Sequence, residues 1–190
     1  MSEEIHPKRA EYSRSKVINW AFVVMFLILV VGAIFESPGA DISIAKKTTA
    51  LATETAVESS ITNFYKDYGT LPKVPTEVKT NTPAGVELLT ILRGMETSAT
   101  LQNIRGIKFL SVREGKNGKN GLIYDPSGAF IVGLYDPWGN PYTVVLDHDY
   151  DEQLHFTYGG RTVDLRGRRV AAYSPGKDGK PGTADDILTW

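Results

Sequence analysis

The sequence has no cysteine, and its 190 residues include only three histidines and three methionines. Without thiols the chain has no disulfides, no thiolate metal sites and no cysteine nucleophile. It also lacks an excess of either charge, because the net charge is only -1. Nucleic-acid binding needs a positive excess that neutralises phosphates. We therefore expect no nucleic-acid partner.

Recognisable catalytic motifs are absent as well. The sequence contains no phosphate-binding loop, dinucleotide fingerprint or nucleophile elbow. Its histidines lie in the N-terminal tail, in an acidic turn and in an apparent strand, as His6, His148 and His155. We expect the protein not to be an enzyme, while a Ser/His/Asp arrangement assembled by folding stays open at this stage.

One long apolar run stands near the N-terminus, from Val17 to Phe35, with Asn19 as its only polar side chain. As a helix it would extend about 28 Å, enough to cross the hydrocarbon core of a bilayer. The pattern predicts a transmembrane helix at 17–35. The alternative is a signal peptide cleaved after Ala33, but the run is longer than the roughly 7 to 15 apolar residues of a signal core.

Basic residues precede this run, at Lys8, Arg9, Arg14 and Lys16. Under the positive-inside rule they predict that the tail, 1–16, is cytoplasmic and that the rest of the chain, 36–190, is exported. The length allows one domain with a core in addition to such an appendage.

The exported part begins with helical patterns. Pro38 and Gly39 should break or bend the chain, and Asp41 can cap a new helix that ends before Gly69, which predicts a helix at 41–68. Its expected core stripe is Ile44, Leu51, Val57, Ile61, Phe64 and Tyr68. A surface connection over 71–82 and a short helix at 84–93 should follow. Pro83 suits the first turn of that helix, whose expected apolar face is Val86, Leu89 and Leu92.

From about residue 106 the pattern changes to short apolar runs separated by Gly, Pro, Asn and Asp. The runs are GIKFLSV, GLIYD, AFIVGLY, YTVVLD, LHFTYG and RVAAYS, and RTVDLRG is one of the segments between them. Helices followed by antiparallel strands predict an α+β domain.

The last segment, 174–190, reads SPGKDGKPGTADDILTW. Asp178, Asp185 and Asp186 are hard oxygen ligands at short spacing, and the glycines permit a tight backbone. Because no imidazole or sulfur is near, calcium is favoured over zinc or copper. A solvated turn without an ion is the alternative. A loop held by an ion would also explain Trp190, whose indole we expect to pack against the sheet.

A second acidic segment, DHDYDEQ, contains Asp147, Asp149 and Asp151. Counted as a calcium loop, its sixth position is Glu152 where glycine is required, and its twelfth is Tyr158 where glutamate is required. We therefore predict a solvated hairpin turn.

The aromatic residue Trp138 lies in the turn DPWGNP. It could be an exposed recognition residue, but Pro137 and Gly139 favour a fixed turn in which the indole caps the sheet.

Three segments together resemble the major pseudopilins of bacterial type II secretion systems: FYKDYGTLP, DPWGNPY and YSPGKDGKPGTADDILTW. The resemblance implies a pilin-like fold, in which a long N-terminal helix, transmembrane in its first half and amphipathic in its second, packs on a C-terminal antiparallel sheet. It also implies calcium bound by Asp178, Asp185 and Asp186 and by the carbonyls of Pro175 and Lys180.

The resemblance further implies a structural subunit anchored in the bacterial inner membrane, with its C-terminal domain in the periplasm. Its partners would be copies of itself and other pseudopilins or secretion-apparatus proteins. One segment departs from the family, because SRSKVINWAFVVMF has neither the glycine of the leader-peptidase site nor the glutamate that follows it. Two functions stay open: a filament subunit, and a stand-alone single-pass envelope protein that binds a partner or secreted substrate without polymerising.

Overall fold

The computed structural model describes residues 38–97 and 101–190. Within these ranges the protein is α+β, as the sequence predicts, with helices first and antiparallel strands after them. The helices are α1 (Pro38–Tyr68) and α2 (Pro83–Arg93), and the strands are β1 (Glu77–Lys79), β2 (Gly121–Tyr124), β3 (Ile131–Tyr135), β4 (Thr143–Leu146), β5 (Gln153–Tyr158), β6 (Arg161–Arg166), β7 (Val170–Ser174) and β8 (Ile187–Leu188).

Residues Ile44–Trp190 form one compact unit, and the sites below lie within it. The predicted cytoplasmic tail, 1–16, and the predicted transmembrane helix, 17–35, lie outside the described residues. In the described ranges, no helix has both the length and the apolar character that crossing a membrane demands.

Helix α1 is rich in threonine and serine, which ordinarily compete with helical hydrogen bonding. Here five of these hydroxyls donate to the carbonyl four residues earlier, from Thr48, Thr49, Thr53, Thr55 and Ser60. The helix ends at Tyr68 as predicted, because Gly69 adopts the left-handed conformation (φ 72°). The predicted start at Asp41 was wrong, since Pro38 and Gly39 are helical; proline fits a first turn, where its missing N–H needs no partner.

The predicted core stripe of α1 is confirmed in its second half and wrong in its first. Val57, Ile61 and Phe64 are buried, whereas Ile44 and Leu51 are 63% and 44% exposed. The buried face also includes Ala50 and continues at three- and four-residue steps. Leu51 lies about 100° around the helix from Ala50, so it points away from this face.

Helix α2 ends at Arg93 as predicted and begins at Pro83, one residue before the predicted start. Thr82 is the N-cap, with its Oγ1 accepting from the Gly85 N–H at 3.2 Å, and Pro83 stands in the first turn. Gly94 closes the helix in the left-handed conformation. Leu89 and Leu92 are buried as predicted, and Val86 is half-buried.

The strands form a four-stranded antiparallel sheet in the order β1-β4-β7-β8 and two separate hairpins, β2–β3 and β5–β6. Successive residues of a strand point to opposite faces. Val144 and Leu146 join the core formed with the helices, and Val145 packs with Leu154 and Phe156 of the β5–β6 hairpin. The sheet therefore has apolar cover on both faces, from the helices and from this hairpin.

Five of the six predicted strands are confirmed, as β2, β3, β4, β5 and β7. The sixth, at GIKFLSV, was wrong: the Phe109 and Leu110 N–H groups both donate to the Leu92 carbonyl at the end of α2, where they pair with no strand. Two predicted connections were also wrong. RTVDLRG contains β6, and the segment 71–82 contains β1 and the buried residues Leu71, Val74 and Val78.

A buried acid lies on the core face of α1. Glu54 is fully buried, and neither carboxyl oxygen has a hydrogen-bond partner in the part of the chain that the structure describes. Burial, followed by the nearby acids Glu58 and Asp136, raises the pKa of Glu54 to about 10. The group is therefore protonated in the folded protein at neutral pH.

We predict that Glu54→Gln stabilises the protein increasingly as the pH rises. The folded state keeps a proton that the unfolded state releases above its ordinary pKa of 4.5, so the wild type loses stability between that pH and about 10. The variant should not show this decrease in the free energy of unfolding, which is at most about 1.4 kcal/mol per pH unit. Denaturant unfolding between about pH 5 and about pH 9 measures the difference. Glu87→Gln, at an exposed position on α2, is the control; equal pH slopes for the Glu54 variant and wild type would contradict the prediction.

Candidate functional site

The turn between β3 and β4 is organised around the buried carboxylate of Asp136. Its Oδ1 accepts from the N–H groups of Trp138, Gly139 and Asn140 at 2.8, 2.7 and 2.8 Å. Its Oδ2 accepts from the Ser174 hydroxyl at 2.6 Å. Because Ser174 is the last residue of β7, this one side chain joins the turn to the start of the C-terminal loop.

A second contact ties the same turn to the loop. The Asn140 side-chain amide donates to the Gly176 carbonyl at 2.6 Å. Gly176 has a φ of 66°, and a Cβ atom there would lie 2.3 Å from the Asp185 carbonyl oxygen. Only glycine fits such an approach, which folds the two ends of the loop against each other.

The loop brings together the three aspartates that the sequence singled out. Asp178, Asp185 and Asp186 each have one carboxylate oxygen within 4.8 Å of the others. Four oxygens surround the Thr183 hydroxyl: Asp185 Oδ1 at 2.7 Å, Lys180 O at 3.2 Å, Asp186 Oδ1 at 3.3 Å and Asp178 Oδ1 at 3.4 Å. One hydroxyl proton can satisfy only one of them. Asp178 Oδ1 also accepts from the Lys180 N–H at 2.8 Å, so the carboxylates converge with few donors between them. The Pro175 carbonyl is not among these four.

The outer carboxylate oxygens are held by main-chain donors. Asp186 Oδ2 accepts from the N–H groups of Gly182 and Thr183 at 2.7 and 2.8 Å and from the Tyr158 hydroxyl. Asp185 Oδ2 accepts from the Asp178 N–H at 2.9 Å. These bonds fix the carboxylates so that their other oxygens turn toward Thr183.

The loop carboxylates fit a hard cation. The Thr183 hydroxyl and then the Asp178 N–H lower the pKa of Asp185, so this carboxyl is ionised at neutral pH. Among the described residues, no lysine or arginine forms an ion pair with the three aspartates. A set of oxygen donors with neither nitrogen nor sulfur suits calcium, and Asp178, Lys180, Asp185 and Asp186 are the residues that would hold it.

Trp190 packs on the sheet as the sequence predicts. Its ring makes edge-to-face contacts with Phe156, Tyr158 and Tyr173, at centroid distances of 5.4, 5.8 and 5.9 Å. The preceding Thr189 hydroxyl lies between the Glu58 carboxyl of α1 and the Ala172 carbonyl of β7. The last residues therefore join α1, β7 and the β5–β6 hairpin.

The second acidic segment differs from its prediction as a solvated turn. Asp149 and Asp151 are exposed, but Asp147 is only 2% exposed. Its Oδ2 accepts from the Glu152 N–H at 3.0 Å, and within residues 38–97 and 101–190 its Oδ1 has no hydrogen-bond partner. Burial and then the neighbouring Asp149 carboxyl raise the pKa of Asp147. The prediction failed for Asp147 because this residue directly follows β4, where the chain is still inside the fold.

Sequence reasoning missed three residues of the C-terminal site. Asp136 could have been found, since an aspartate before a Pro-Trp-Gly turn commonly accepts from the following main-chain N–H groups. Thr183 and Tyr158 carried no usable signal, because their places depend on how the loop and the β5–β6 hairpin meet. Trp138 is half-buried, and its main-chain N–H donates to Asp136 Oδ1.

Comparison of the chain with models of known protein families, with curated proteins and with solved structures gave no match in any of the three.

We predict that Trp190→Ala destabilises the protein by about 2 kcal/mol, less than the roughly 3–5 kcal/mol typical of a fully buried tryptophan. The reason is the loss of three aromatic contacts from a half-buried ring. Denaturant unfolding measures the change. Trp190→Phe keeps an aromatic ring and should recover part of the loss, and an alanine variant as stable as wild type would contradict the prediction.

Proposed function

We propose that this protein is a structural subunit of a type II secretion or type IV pilus-like apparatus, a pseudopilin. In this proposal it is held in the bacterial inner membrane by residues 17–35, with its tail in the cytoplasm and its domain in the periplasm. The observation that carries the proposal is the C-terminal loop. Its three aspartates converge while Asp136 and Asn140 tie it to the DPWGNP turn, so two segments of the family resemblance form one unit.

The architecture is compatible with a pilin-like fold. A long helix leads into an antiparallel sheet, and apolar residues of α1 pack in the core formed with that sheet. Assembly through the helix would need apolar side chains left uncovered by the domain. Ile44 and Leu51 of α1 are such residues, at 63% and 44% exposure. Packing them against another copy, or against another pseudopilin, would remove apolar surface from water.

Calcium has a structural role in this proposal. An ion bound by Asp178, Asp185 and Asp186 and by the Lys180 carbonyl would neutralise carboxylates that otherwise repel one another. Through the short chain from Asp186 to Trp190, it would also help to hold the indole on the sheet. At a free calcium concentration ten times the dissociation constant, binding stabilises the folded state by about 1.4 kcal/mol. That is enough to order a loop and too little to fold the domain.

We predict that chelation with EDTA lowers the thermal midpoint of the protein and that adding calcium restores it. Asp185→Asn should reduce this calcium-dependent shift, because it removes one of the converging charges. Asp164→Asn is a matched control, since Asp164 is exposed on β6 and pairs with His155. A thermal melt unchanged by EDTA, or an equal shift in the Asp185 variant and wild type, would contradict calcium binding by this loop.

One sequence observation favours a second function, a stand-alone single-pass envelope protein with a pilin-like domain. The segment SRSKVINWAFVVMF lacks the glycine and the glutamate that the family uses for leader cleavage and for charge pairing between subunits. In this case the domain would bind a partner or a secreted substrate, and the exposed residues of α1 would not mediate polymerisation.

The two functions are separated by examining the protein from bacterial membranes. N-terminal sequencing reads the processing state, and electron microscopy of the same preparation shows whether filaments form. The proposed subunit should appear in filaments, and replacing Ile44 and Leu51 with serine should reduce their number without lowering the thermal midpoint of the domain. An uncleaved N-terminus together with no polymer would reject the subunit and favour the stand-alone protein.

A further inference from the structure

We propose that the turn between β4 and β5 is a second site for a hard divalent cation, with calcium as the preferred ion and Asp147, Asp149 and Asp151 as its ligands. This site is separate from the C-terminal loop and does not depend on the proposed secretion function.

The three carboxylates converge on one place. Each offers an oxygen within 4.8 Å of the other two, in a D-x-D-x-D sequence that supplies ligands from alternate residues. No histidine nitrogen belongs to this group. An all-oxygen set of carboxylates is the donor chemistry that calcium and magnesium prefer, and a flexible turn suits the adaptable coordination of calcium better than the strict octahedron of magnesium.

Asp147 provides an independent indication of a ligand. The residue is only 2% exposed, and its buried Oδ1 has no hydrogen-bond partner among the described residues. A buried carboxylate oxygen without a partner is costly in a folded protein. A cation held jointly with Asp149 and Asp151 would give that oxygen its partner.

The three carboxylates of the turn have no ion-pair partner among the described residues. The nearest ion pair in this turn joins Arg169 to Glu152 at 2.6 Å, and the same guanidinium stacks on the Tyr65 ring at 4.8 Å. Within the described residues, none of the three aspartates forms an ion pair with lysine or arginine. A bound ion would relieve their mutual repulsion.

The backbone conformation of the turn is compatible with a calcium loop. Glu152, in the position where a calcium loop has glycine, adopts the left-handed conformation with a φ of 61°. The turn is anchored on both sides, since the Asp147 N–H donates to Arg169 O at 2.9 Å and the Arg168 N–H donates to Glu152 O at 3.1 Å. A cleft of about 370 Å³ lies beside Asp147 and Asp149, which leaves room for an ion that keeps some of its water.

An ion here would act on a different contact from an ion in the C-terminal loop. Tyr150, between two of the ligands, accepts from the Leu71 N–H at 3.0 Å, and its ring centroid lies 6.1 Å from that of Tyr65. Tyr65 is in the last turn of α1, and Leu71 follows the end of the helix by three residues. Fixing the turn would therefore fasten this end of the helix to the sheet.

The test is calorimetric titration of calcium chloride into the full chain after treatment with EDTA. The double variant Asp149→Asn, Asp151→Asn should lose one binding event that Asp185→Asn retains. Both replaced residues are exposed, so the fold should survive, and the thermal midpoint in EDTA checks this. Asp164→Asn, on the neighbouring hairpin, should titrate like wild type.

Asp147→Asn is the second variant. It should lose the same binding event and, in EDTA, should be at least as stable as wild type, because it removes a buried charge from the repelling group. The proposal is overturned if the double variant binds as much calcium as wild type. It is also overturned if Asp185→Asn abolishes all binding. If wild type binds calcium, the C-terminal site would stand in either case; if wild type binds none, both sites are rejected. Loss of all calcium in the β4–β5 variants would instead count against the C-terminal site.

Discussion

The buried carboxylate of Asp136 is the interaction on which the C-terminal part of the molecule depends. Three main-chain N–H groups and the Ser174 hydroxyl converge on it, so the charge is satisfied although the residue is inaccessible to solvent. Removing a charge from water is expensive unless such partners surround it. These bonds therefore select one arrangement of the β3–β4 turn and β7. The position of Ser174, where the C-terminal loop begins, is therefore fixed. This helps the carboxylates of the loop to converge.

Both faces of the central sheet are packed against apolar side chains, and these side chains come from different elements on the two faces. On one face α1 and α2 supply Ile61, Phe64 and Leu89. On the other the β5–β6 hairpin contributes Leu154 and Phe156, and Trp190 completes this smaller core. Strand β7 lies between them and is buried along its whole length. The C-terminal residues thus act as part of the core, because the Trp190 ring contacts both the hairpin, at Phe156, and β7, at Tyr173.

The two acidic clusters illustrate two ways in which a protein can hold carboxylates close together. In the C-terminal loop, main-chain N–H groups support the outer oxygens of Asp185 and Asp186 near the surface. In the β4–β5 turn, Asp147 is buried and one of its oxygens is unsupported. Repulsion among like charges is partly screened by water in the first case and less so in the second. A cation would compensate both, with the larger local effect on the buried group.

The sequence by itself determined the order and type of the main elements. Gly69, Thr82 and Gly94 mark helix ends through local backbone chemistry, and five strands follow from apolar runs between turn residues. It also identified Asp178, Asp185 and Asp186, because ligand type and spacing are local properties. Only the tertiary structure decided that RTVDLRG pairs with β5, that Ile44 and Leu51 face outward, and that Asp147 is buried. Strand pairing and burial depend on which segments approach from elsewhere in the chain. A local sequence pattern does not specify those neighbours.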